Sequence, residues 1–391
     1  MKEFWLEQET KKFNKKKLII LIIILLLIVL VSTIIIIYNQ NKEVREWIDK
    51  NIFRKEVTQN NVATIDLNEI QNSNIYAFNK YIGILNKNKF SIYGSMGNEE
   101  NTLDIQITNP VFSSANRFLV IGEEGGQKVY LITDKEISWE SSIEGTILQV
   151  LVNKNGYVAV VMQDAINKAV IELYNPDGKA LFKTYSSNRT TDVAISNDNK
   201  YLAIAEIDTS GTIIQSNIKI ISIDKATTDP TESVQKTYKC ESDKLLVDIE
   251  YQNKDKLVCM YTDSIKVIEN EQENVLIDNN GKKVMFQTAR LNENVVSIEE
   301  KSSGLFTADS IIKIMNVDSK DIKEYTVDSV AKEIYAYGDI IAINLGTEIE
   351  FINTSGMLVK RYIANQEISA VAVSDNIAGI IYRDKIEIVN L

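Results

Sequence analysis

A short phrase of alternating apolar and polar residues recurs along most of this chain. The clearest copies are residues 171–175 (IELYN), 220–224 (IISID), 265–270 (IKVIEN), 349–353 (IEFIN) and 386–390 (IEIVN), with looser copies at 128–133 (KVYLIT) and 312–318 (IKIMNVD). Alternation of this kind is typical of β-strands. The spacing between copies is irregular and centres near ~40 residues, and a repeat of that length built only from strands predicts a β-propeller.

Aligning the copies with their neighbours predicts the order of strands within a blade, named a to d from the ring axis outward. The phrase fits strand c, and runs of small and β-branched residues before it fit strand b, as in residues 157–161, 201–205, 257–261, 340–343 and 377–382. The predicted a strands start near Ile75, Pro110, Ile147, Asp192, Leu245, Val284, Ala331 and Ile368. This count predicts an all-β, eight-bladed propeller over residues 61–391. Seven blades is the rival count, if residues 75–107 do not form one.

The eighth blade reaches only strand c, because the sequence stops just after residues 386–390. Residues 62–67 (VATIDL) have a strand pattern but precede the first a strand, so they belong to no blade of their own. We therefore expect residues 62–67 to supply the missing outer strand of the last blade. Such pairing closes the ring and removes two unpaired strand edges.

The N-terminal region predicts one membrane span, residues 18–38, which are almost entirely Leu, Ile and Val. Twenty-one helical residues cover ~30 Å, the thickness of the hydrocarbon layer. The alternative is a cleaved signal peptide, but the apolar run exceeds the ~7–15 residues of a signal peptide's apolar h-region and no small-residue cleavage site follows. We therefore expect a permanent signal anchor in the lipid bilayer.

Positive charges predict the orientation of this anchor. Residues 1–17 carry six Lys, whereas Lys42, Arg45 and Lys50 follow the span. The excess predicts a single-pass protein of the cell membrane, with residues 1–17 as a cytoplasmic tail and the propeller extracytoplasmic. Residues 39–60 lack Pro and Gly and carry an apolar stripe, which predicts a short helical stalk that continues the membrane helix.

Composition excludes several classes of function. The net charge of −11 opposes nucleic-acid binding, since phosphates would be repelled. The complete lack of His excludes Ser-His-Asp and Cys-His catalysis and His-containing zinc sites. The two cysteines, Cys240 and Cys259, cannot form a four-cysteine site, and two free, buried thiols are favoured over a disulfide. No cofactor, metal or catalytic residue is predicted.

Residues 193–204 (VAISNDNKYLAI) resemble the strand–turn–strand signature of WD40-like and quinoprotein-like β-propellers. In those propellers a turn of the Ser-Pro-Asp-Gly-Lys type precedes an apolar strand. Here Asn197 and Asn199 replace the Pro and Gly, and the Gly-His and Trp-Asp markers of standard WD40 repeats are missing. The whole arrangement resembles uncharacterised clostridial membrane-anchored propeller proteins, a family without an assigned function. The resemblance covers about 330 residues and implies a fold, not an activity.

Four aspartates follow b strands closely and are candidate binding residues: Asp164, Asp208, Asp263 and Asp384. All b–c connections of a propeller share one face, so these carboxylates could form a partial ring that binds Ca²⁺ or a cationic partner. The preferred interpretation is local, because Asp is favoured in tight turns.

Two b–c connections are longer than the others, residues 207–216 and 299–309. Insertions in repeat proteins often collect on the binding face. Ile213, Ile214, Leu305 and Phe306 are apolar residues in these otherwise polar loops, which makes them candidates for contact with a partner. The alternative is that both loops fold back on the ring.

The leading hypothesis is a non-enzymatic binding or scaffold module for a protein, a peptide or a polymer of the cell envelope. The alternative is a propeller enzyme that acts on envelope polysaccharide through paired carboxylates. An enzyme is expected to show acids with raised pKa values in one central pocket. A binding module is expected to show an apolar or charged patch on one face and no such pocket.

Overall fold

The computed structural model describes residues 15–53, 55–58, 62–67, 74–241, 244–252, 256–278, 284–302 and 308–391. The chain divides into two compact units, Met1–Glu56 and Val57–Leu391. The first is helical where it is described, and the second is built almost entirely from strands.

The N-terminal unit contains two helices, α1 (Lys15–Gln40) and α2 (Lys42–Asn51). Within α1 the segment Ile20–Tyr38 is long and apolar enough to cross a membrane, and none of it is buried in the protein. Ser32 and Thr33 donate their hydroxyl hydrogens to the carbonyls four residues earlier, at 2.8 Å each, so neither hydroxyl is left unsatisfied. The helix therefore fits a membrane anchor or a signal sequence.

The segment after the apolar helix differs from the continuous helical stalk predicted for residues 39–60. The backbone of Asn41 is extended, and its side chain accepts a hydrogen bond from the amide of Val44, which starts a separate helix. The Tyr38 hydroxyl donates to the buried Asp49 carboxylate at 2.7 Å, and the Lys55 ammonium lies 2.9 Å from the same carboxylate. These contacts join Tyr38, near the end of α1, to Asp49 in α2, eleven residues later in the sequence. Beyond them, Glu56–Thr58 form a strand, β1.

The second unit is a ring of eight blades, each an antiparallel sheet. After β2 (Ala63–Asp66), blades 1 to 4 comprise the following strands, in the order a to d: β3 (Asn74–Phe78), β4 (Tyr81–Asn86), β5 (Lys89–Tyr93) and β6 (Glu99–Asp104); β7 (Pro110–Ala115), β8 (Phe118–Glu123), β9 (Lys128–Thr133) and β10 (Glu136–Ser142); β11 (Thr146–Val152), β12 (Val158–Gln163), β13 (Ala169–Tyr174) and β14 (Ala180–Ser186); β15 (Arg189–Ile195), β16 (Tyr201–Asp208), β17 (Gln215–Ser222) and β18 (Val234–Lys239).

Blades 5 to 8 follow the same pattern. Their strands are β19 (Leu246–Tyr251), β20 (Leu257–Tyr261), β21 (Ser264–Glu269) and β22 (Gln272–Asp278); β23 (Val284–Leu291), β24 (Asn294–Ser302), β25 (Ala308–Asn316) and β26 (Ile322–Val327); β27 (Glu333–Tyr337), β28 (Ile340–Asn344), β29 (Glu348–Asn353) and β30 (Leu358–Ile363); and β31 (Ala370–Val373), β32 (Ile377–Ile381) and β33 (Lys385–Asn390).

The prediction of eight blades is confirmed. Residues 74–104, the weakly patterned region, form the complete first blade, which removes the rival count of seven. Every copy of the repeated phrase lies on, or overlaps, a c strand. One local feature was not predicted: a short helix, α3 (Ile223–Thr228), begins in the c–d connection of blade 4, where the Ser222 hydroxyl accepts from the amide of Lys225.

The ring is closed by strands from opposite ends of the unit. Strand β2 pairs antiparallel with β33, with Ile65 opposite Ile386 and Ala63 opposite Ile388. The buried Ile65 side chain belongs to an apolar cluster that joins β2 and the last blade to Ile82 and other residues of the first blade. No blade is therefore left with an open outer edge at this junction.

In blades 3 to 7 a charged residue of the c strand lies in an ion pair with a neighbouring strand of its own blade. These pairs are Glu172–Lys183 (3.6 Å), Lys219–Glu206 (2.9 Å), Lys266–Glu273 (3.1 Å), Lys313–Glu299 (2.8 Å) and Glu350–Arg361 (2.6 Å). Glu172, Lys266 and Glu350 are buried. A shift of one residue along the strand would leave such a charge buried without its partner, so the pairs favour a single strand register.

We expect Ile65→Ala to lower the free energy of unfolding by about 2–4 kcal/mol, because it removes buried methyl groups from the closing contact. The measurement is urea unfolding of the full chain in neutral detergent, followed by intrinsic fluorescence. The matched control is Thr64→Ala, whose side chain is exposed on the same strand and should change stability by less than about 0.5 kcal/mol. Equal effects of the two substitutions would contradict the assigned role of the closing strand.

Candidate functional site in the central channel

The four predicted aspartates lie at the end of a b strand or in the b–c turn after it, and two of them form side-chain hydrogen bonds within that turn. Asp164 accepts hydrogen bonds from the amides of Ile166 and Asn167, and these bonds hold its pKa below the ordinary value. Asp208 accepts from the hydroxyl and the amide of Ser210 at 2.7 and 2.9 Å, which likewise lowers its pKa. Both carboxylates therefore stabilise the turns that contain them.

The other two aspartates occupy the same kind of position. Asp263 accepts from the hydroxyl of Ser264 at 2.9 Å, and its carboxylate lies 3.5 Å from the Lys244 ammonium. The backbone carbonyl of Asp384 accepts from the amide of Leu67 at 2.7 Å, beside the closing strand.

The predicted apolar loop residues are partly described. Ile213 and Ile214 lie in the connection between β16 and β17 and are 62% and 61% exposed. Leu305 and Phe306 lie outside the described residues. The b–c turn of the preceding blade adds Ile166, which is 91% exposed. The b–c face thus presents apolar side chains on two adjacent blades.

A cavity of about 630 Å³ lies between the a strands of all eight blades, in the central channel of the ring. Its lining residues extend to the ends of the a strands and into the a–b turns. Antiparallel pairing places the a–b turns and the b–c turns at opposite ends of a blade. The cavity therefore reaches the a–b end of the channel, and none of the predicted binding residues that the structure describes lines it.

The lining combines charged, aromatic and apolar groups. Three carboxyl side chains, those of Asp248, Glu250 and Asp375, share the cavity with one ammonium group, that of Lys154. The aromatic side chains that line it are Tyr76, Phe112, Tyr251, Tyr335 and Tyr337. Such a mixture is typical of ligand pockets, in which a few polar groups orient a molecule against apolar walls.

Asp192 and Asp248 form a carboxyl pair at the wall of the cavity. Asp192 is buried and accepts hydrogen bonds from the Gln149 side chain at 2.7 Å and from the amide of Ile249 at 2.9 Å. Burial, together with the adjacent Asp248 carboxyl group, raises the pKa of Asp192 well above its ordinary value. The raised pKa favours the protonated form of the Asp192 carboxyl group.

Asp375 lies at the a–b turn of blade 8 and lines the same cavity. The surrounding protein removes part of its hydration, and this raises the pKa of Asp375. The amide of Asp339 donates to its carboxylate at 3.3 Å, and the positive charge of Lys154 also opposes the rise. Burial, with Asp375 as a further contributor, raises the pKa of Tyr337 to about 12.

Two hydrogen bonds cross the channel between blades that are not neighbours. The amide of Asn116 in blade 2 donates to the Tyr337 hydroxyl of blade 7 at 2.6 Å. The Lys154 ammonium of blade 3 donates to the Asn292 side chain of blade 6, also at 2.6 Å. Both bonds join residues at the ends of a strands, so they narrow the channel at its a–b end.

A polar girdle of hydrogen bonds also joins each blade to the next near this end. Its donor–acceptor pairs are Ser374–Asn79 (2.6 Å), Asn79–Asp134 (2.8 Å), Val152–Ser113 (3.3 Å), Asn155–Asn197 (2.9 Å), Asn197–Gln252 (2.8 Å), Gln252–Asn294 (3.4 Å), Asn292–Gly338 (2.8 Å) and Asp339–Asp375 (3.3 Å). The girdle fixes the a–b turns around the cavity and limits changes in its width.

The chemistry available in the described part of the chain is that of carboxyl, amide, phenol and ammonium groups. Among the described residues, no cluster of three or more Cys, Asp or Glu side chains is arranged to hold a metal ion. Cys240 and Cys259 are free and buried, and burial raises the pKa of both thiols, which makes them poor nucleophiles.

A closed ring of eight blades around an axial cavity, with an N-terminal apolar helix, defines this protein as an eight-bladed β-propeller. The chain belongs to a family of unknown function, DUF5711, whose model matches residues 52–391. No curated protein matches the chain in sequence.

Solved structures with similar folds share little sequence with the chain. BamB from Moraxella catarrhalis is 12% identical with a TM-score of 0.50, and the match covers 84% of this chain and 99% of that one. AztD from Citrobacter koseri is 10% identical with a TM-score of 0.45, covering 76% and 87% of the two chains. At these identities the likeness concerns the fold alone.

The sequence reasoning missed the residues of the cavity. Asp248, Glu250 and Asp375 lie on or just after a strands, whereas the residues predicted from the sequence belong to the b–c connections. A polar residue within or just after an a strand could have predicted these cavity residues, because the a strands surround the channel in any propeller. The recurrent side-chain amides at the a–b turns, such as Asn153 and Asn197, gave a second signal.

We expect Asp248→Asn to stabilise the protein more at pH 8 than at pH 4. The raised pKa of Asp192 means that the wild type is most stable below the ordinary carboxyl pKa and loses stability as pH rises through the raised value. The amide that replaces the Asp248 carboxyl group can donate to Asp192 and carries no charge. The loss of folding stability between pH 4 and pH 8 should therefore shrink by about 1–2 kcal/mol. The measurement is urea unfolding of the full chain at several pH values.

The control for this pH dependence is Asp104→Asn, which changes an exposed carboxylate on the outer strand β6. Its stability should follow the wild type across the pH range. If Asp248→Asn also paralleled the wild type at every pH, the contribution of Asp248 to the raised pKa of Asp192 would be ruled out.

Proposed function

We propose that this protein is a membrane-anchored, extracytoplasmic binding module that recognises a protein, a peptide or a polymer of the cell envelope without chemically changing it. The observation that carries the proposal is the central cavity, to which residues of all eight blades contribute. The expectation that a binding module would lack a central pocket containing an acid of raised pKa is not met, because Asp375 lines this cavity. Its volume of about 630 Å³ falls within the ~300–1,000 Å³ range of ligand sites.

The anchoring part of the proposal rests on the N-terminal region. We assign residues 1–17 to a cytoplasmic tail, 18–38 to the membrane span and 61–391 to the propeller outside. The helix from Ile20 to Tyr38 has the length and composition of a span. The six Lys before it favour a cytoplasmic N-terminus. The acidic charge of the chain supports a partner other than nucleic acid.

The b–c face is a second surface that supports binding. Ile166, Ile213 and Ile214 are exposed there on adjacent blades, although most large apolar side chains of the propeller are buried. Exposed apolar groups that cluster on one face favour contact with a macromolecule. We therefore assign small or extended ligand groups to the cavity and broader protein contacts to the b–c face.

A second candidate is a propeller enzyme that acts on envelope polysaccharide. Asp375 favours it, because a cavity carboxyl group with a raised pKa suits a general acid. Asp192 does not strengthen this candidate, since it is buried and held by Gln149 and Ile249. The binding module remains the better-supported function, because glycoside hydrolysis needs two carboxyl groups on either side of one scissile bond. The Asp192 and Asp248 carboxyl groups are instead in hydrogen-bond contact with each other, which leaves no room for a substrate between them.

The proposed orientation predicts a clear labelling pattern, because both native cysteines are buried and free. A membrane-impermeant maleimide applied to intact cells should leave the wild type unlabelled and should label Met357→Cys, an exposed position in the c–d turn of blade 7. A cysteine at Lys11 should react only after permeabilisation. The reverse pattern would overturn the orientation.

Binding and catalysis can be separated with envelope material from the protein's own cells. We expect the immobilised full chain to retain an envelope protein or polymer, and the polymer to keep its chain length. If the wild type shortened the polymer and Asp375→Asn did not, the enzyme would replace the binding module. If nothing were retained or altered, both functions would fail.

A further inference from the structure

We propose that the central cavity binds an organic cation, an ammonium or guanidinium group carried by a free polyamine or by a basic peptide side chain. This inference rests on the proposed function, since it takes the cavity as a site of recognition and names the chemistry recognised there. Four features of the cavity carry it: its carboxylates, its aromatic side chains, a buried hydroxyl without a partner, and the one cation that it already contains.

The charge of the lining favours a cation. Asp248, Glu250 and Asp375 line one cavity, and Lys154 is the single basic side chain among the lining residues. The carboxyl group of Asp192 lies directly behind that of Asp248. Carboxylates held together inside a protein repel one another, and an incoming positive charge relieves this repulsion.

The aromatic lining favours an organic cation. Phe112 is 52% exposed although it lies on an a strand, and Tyr76 packs edge-on against it with ring centroids 4.5 Å apart. Tyr251, Tyr335 and Tyr337 line other sides of the cavity. Aromatic faces attract ammonium and guanidinium groups, and they also bury the carbon atoms that such groups carry.

Tyr76 adds an independent observation. It lines the cavity and is only 2% exposed, yet its hydroxyl has no hydrogen-bond partner among the described residues. A buried polar group without a partner is uncommon and calls for an explanation. The Tyr76 hydroxyl, beside the Phe112 ring, can accept a hydrogen bond from an N–H group of a bound cation.

The side chain of Lys154 shows that the cavity can hold an ammonium group. Its ammonium reaches across the channel to the Asn292 side chain at 2.6 Å, and its positive charge favours the ionised form of Asp375. The chain's own lysine therefore occupies part of the space where a ligand cation would lie. A ligand must compete with this charge, so removal of Lys154 should improve binding.

A metal ion fits the cavity less well. A bare ion needs several oxygen ligands at ~2.0–2.6 Å, and no such acidic cluster is present in the described ranges. A volume of about 630 Å³ is also far larger than a single ion requires. The space and the aromatic walls match a molecule with a carbon skeleton.

The test is calorimetric titration of the full chain in nanodiscs of zwitterionic lipid at 150 mM salt. The probes are spermidine and a capped tetralysine peptide, with mannitol as the uncharged control. We expect saturable binding of at least one cation and none of mannitol. Tighter binding of spermidine would identify a free polyamine as the source of the charge, and tighter binding of tetralysine would identify a peptide.

Variants should shift the affinity in opposite directions. Asp375→Asn and Phe112→Leu should each weaken binding about 5–10-fold, whereas Lys154→Met should tighten it by a similar factor. A loss of folding cannot produce the tightening. Asp104→Asn, an exposed change of the same charge, should leave affinity within about twofold.

The inference is overturned if neither cation binds, if Lys154→Met fails to tighten binding, or if Asp104→Asn weakens it as much as Asp375→Asn. Should the cations fail while the full chain still retains envelope material, the binding module would survive and only the assigned ligand chemistry would be wrong. If both experiments failed, the proposed function would fall as well.

Discussion

Ring closure depends on the pairing of β2 with β33, two strands more than 300 residues apart in the sequence. Apart from β1, which pairs with β30 at the outer edge of blade 7, the blades are otherwise assembled from hairpins of neighbouring strands, which need only local contacts. The closing pair differs because it joins the two ends of the unit and buries Ile65 against both the first and the last blade. Without it, the first and last blades would present unpaired edges, and the a strands would not be held around one axis.

Ring closure also determines which side chains share the central cavity. With the ring closed, the a–b turns meet at one end of the channel, and the polar girdle and the two cross-channel hydrogen bonds hold them there. Carboxyl groups from blades 5 and 8 then share a cavity with Lys154 of blade 3, although these residues are far apart in the sequence. The buried ion pairs of the c strands hold the register of the sheets behind them.

Much of the fold was predictable because each blade repeats one pattern. The a strands at Pro110 and Val284 begin where the sequence placed them, and the others lie within three residues. The break at Asn41 was missed because side-chain capping outweighs the helical pattern on either side of it. The site was missed for another reason. Asp164 and Asp208 form hydrogen bonds within their own turns, whereas Asp248 and Asp375 share a cavity only because eight strands that are distant in the sequence surround one axis.

The closing strand precedes every blade in the sequence, and its partner is the last strand of the ring. During synthesis, β2 therefore emerges from the ribosome long before β33 exists. The nascent chain must keep β2 and the blades that follow it free of wrong pairings until the final strand arrives. Throughout this interval the strand edges that β2 and β33 later cover are open to wrong pairing.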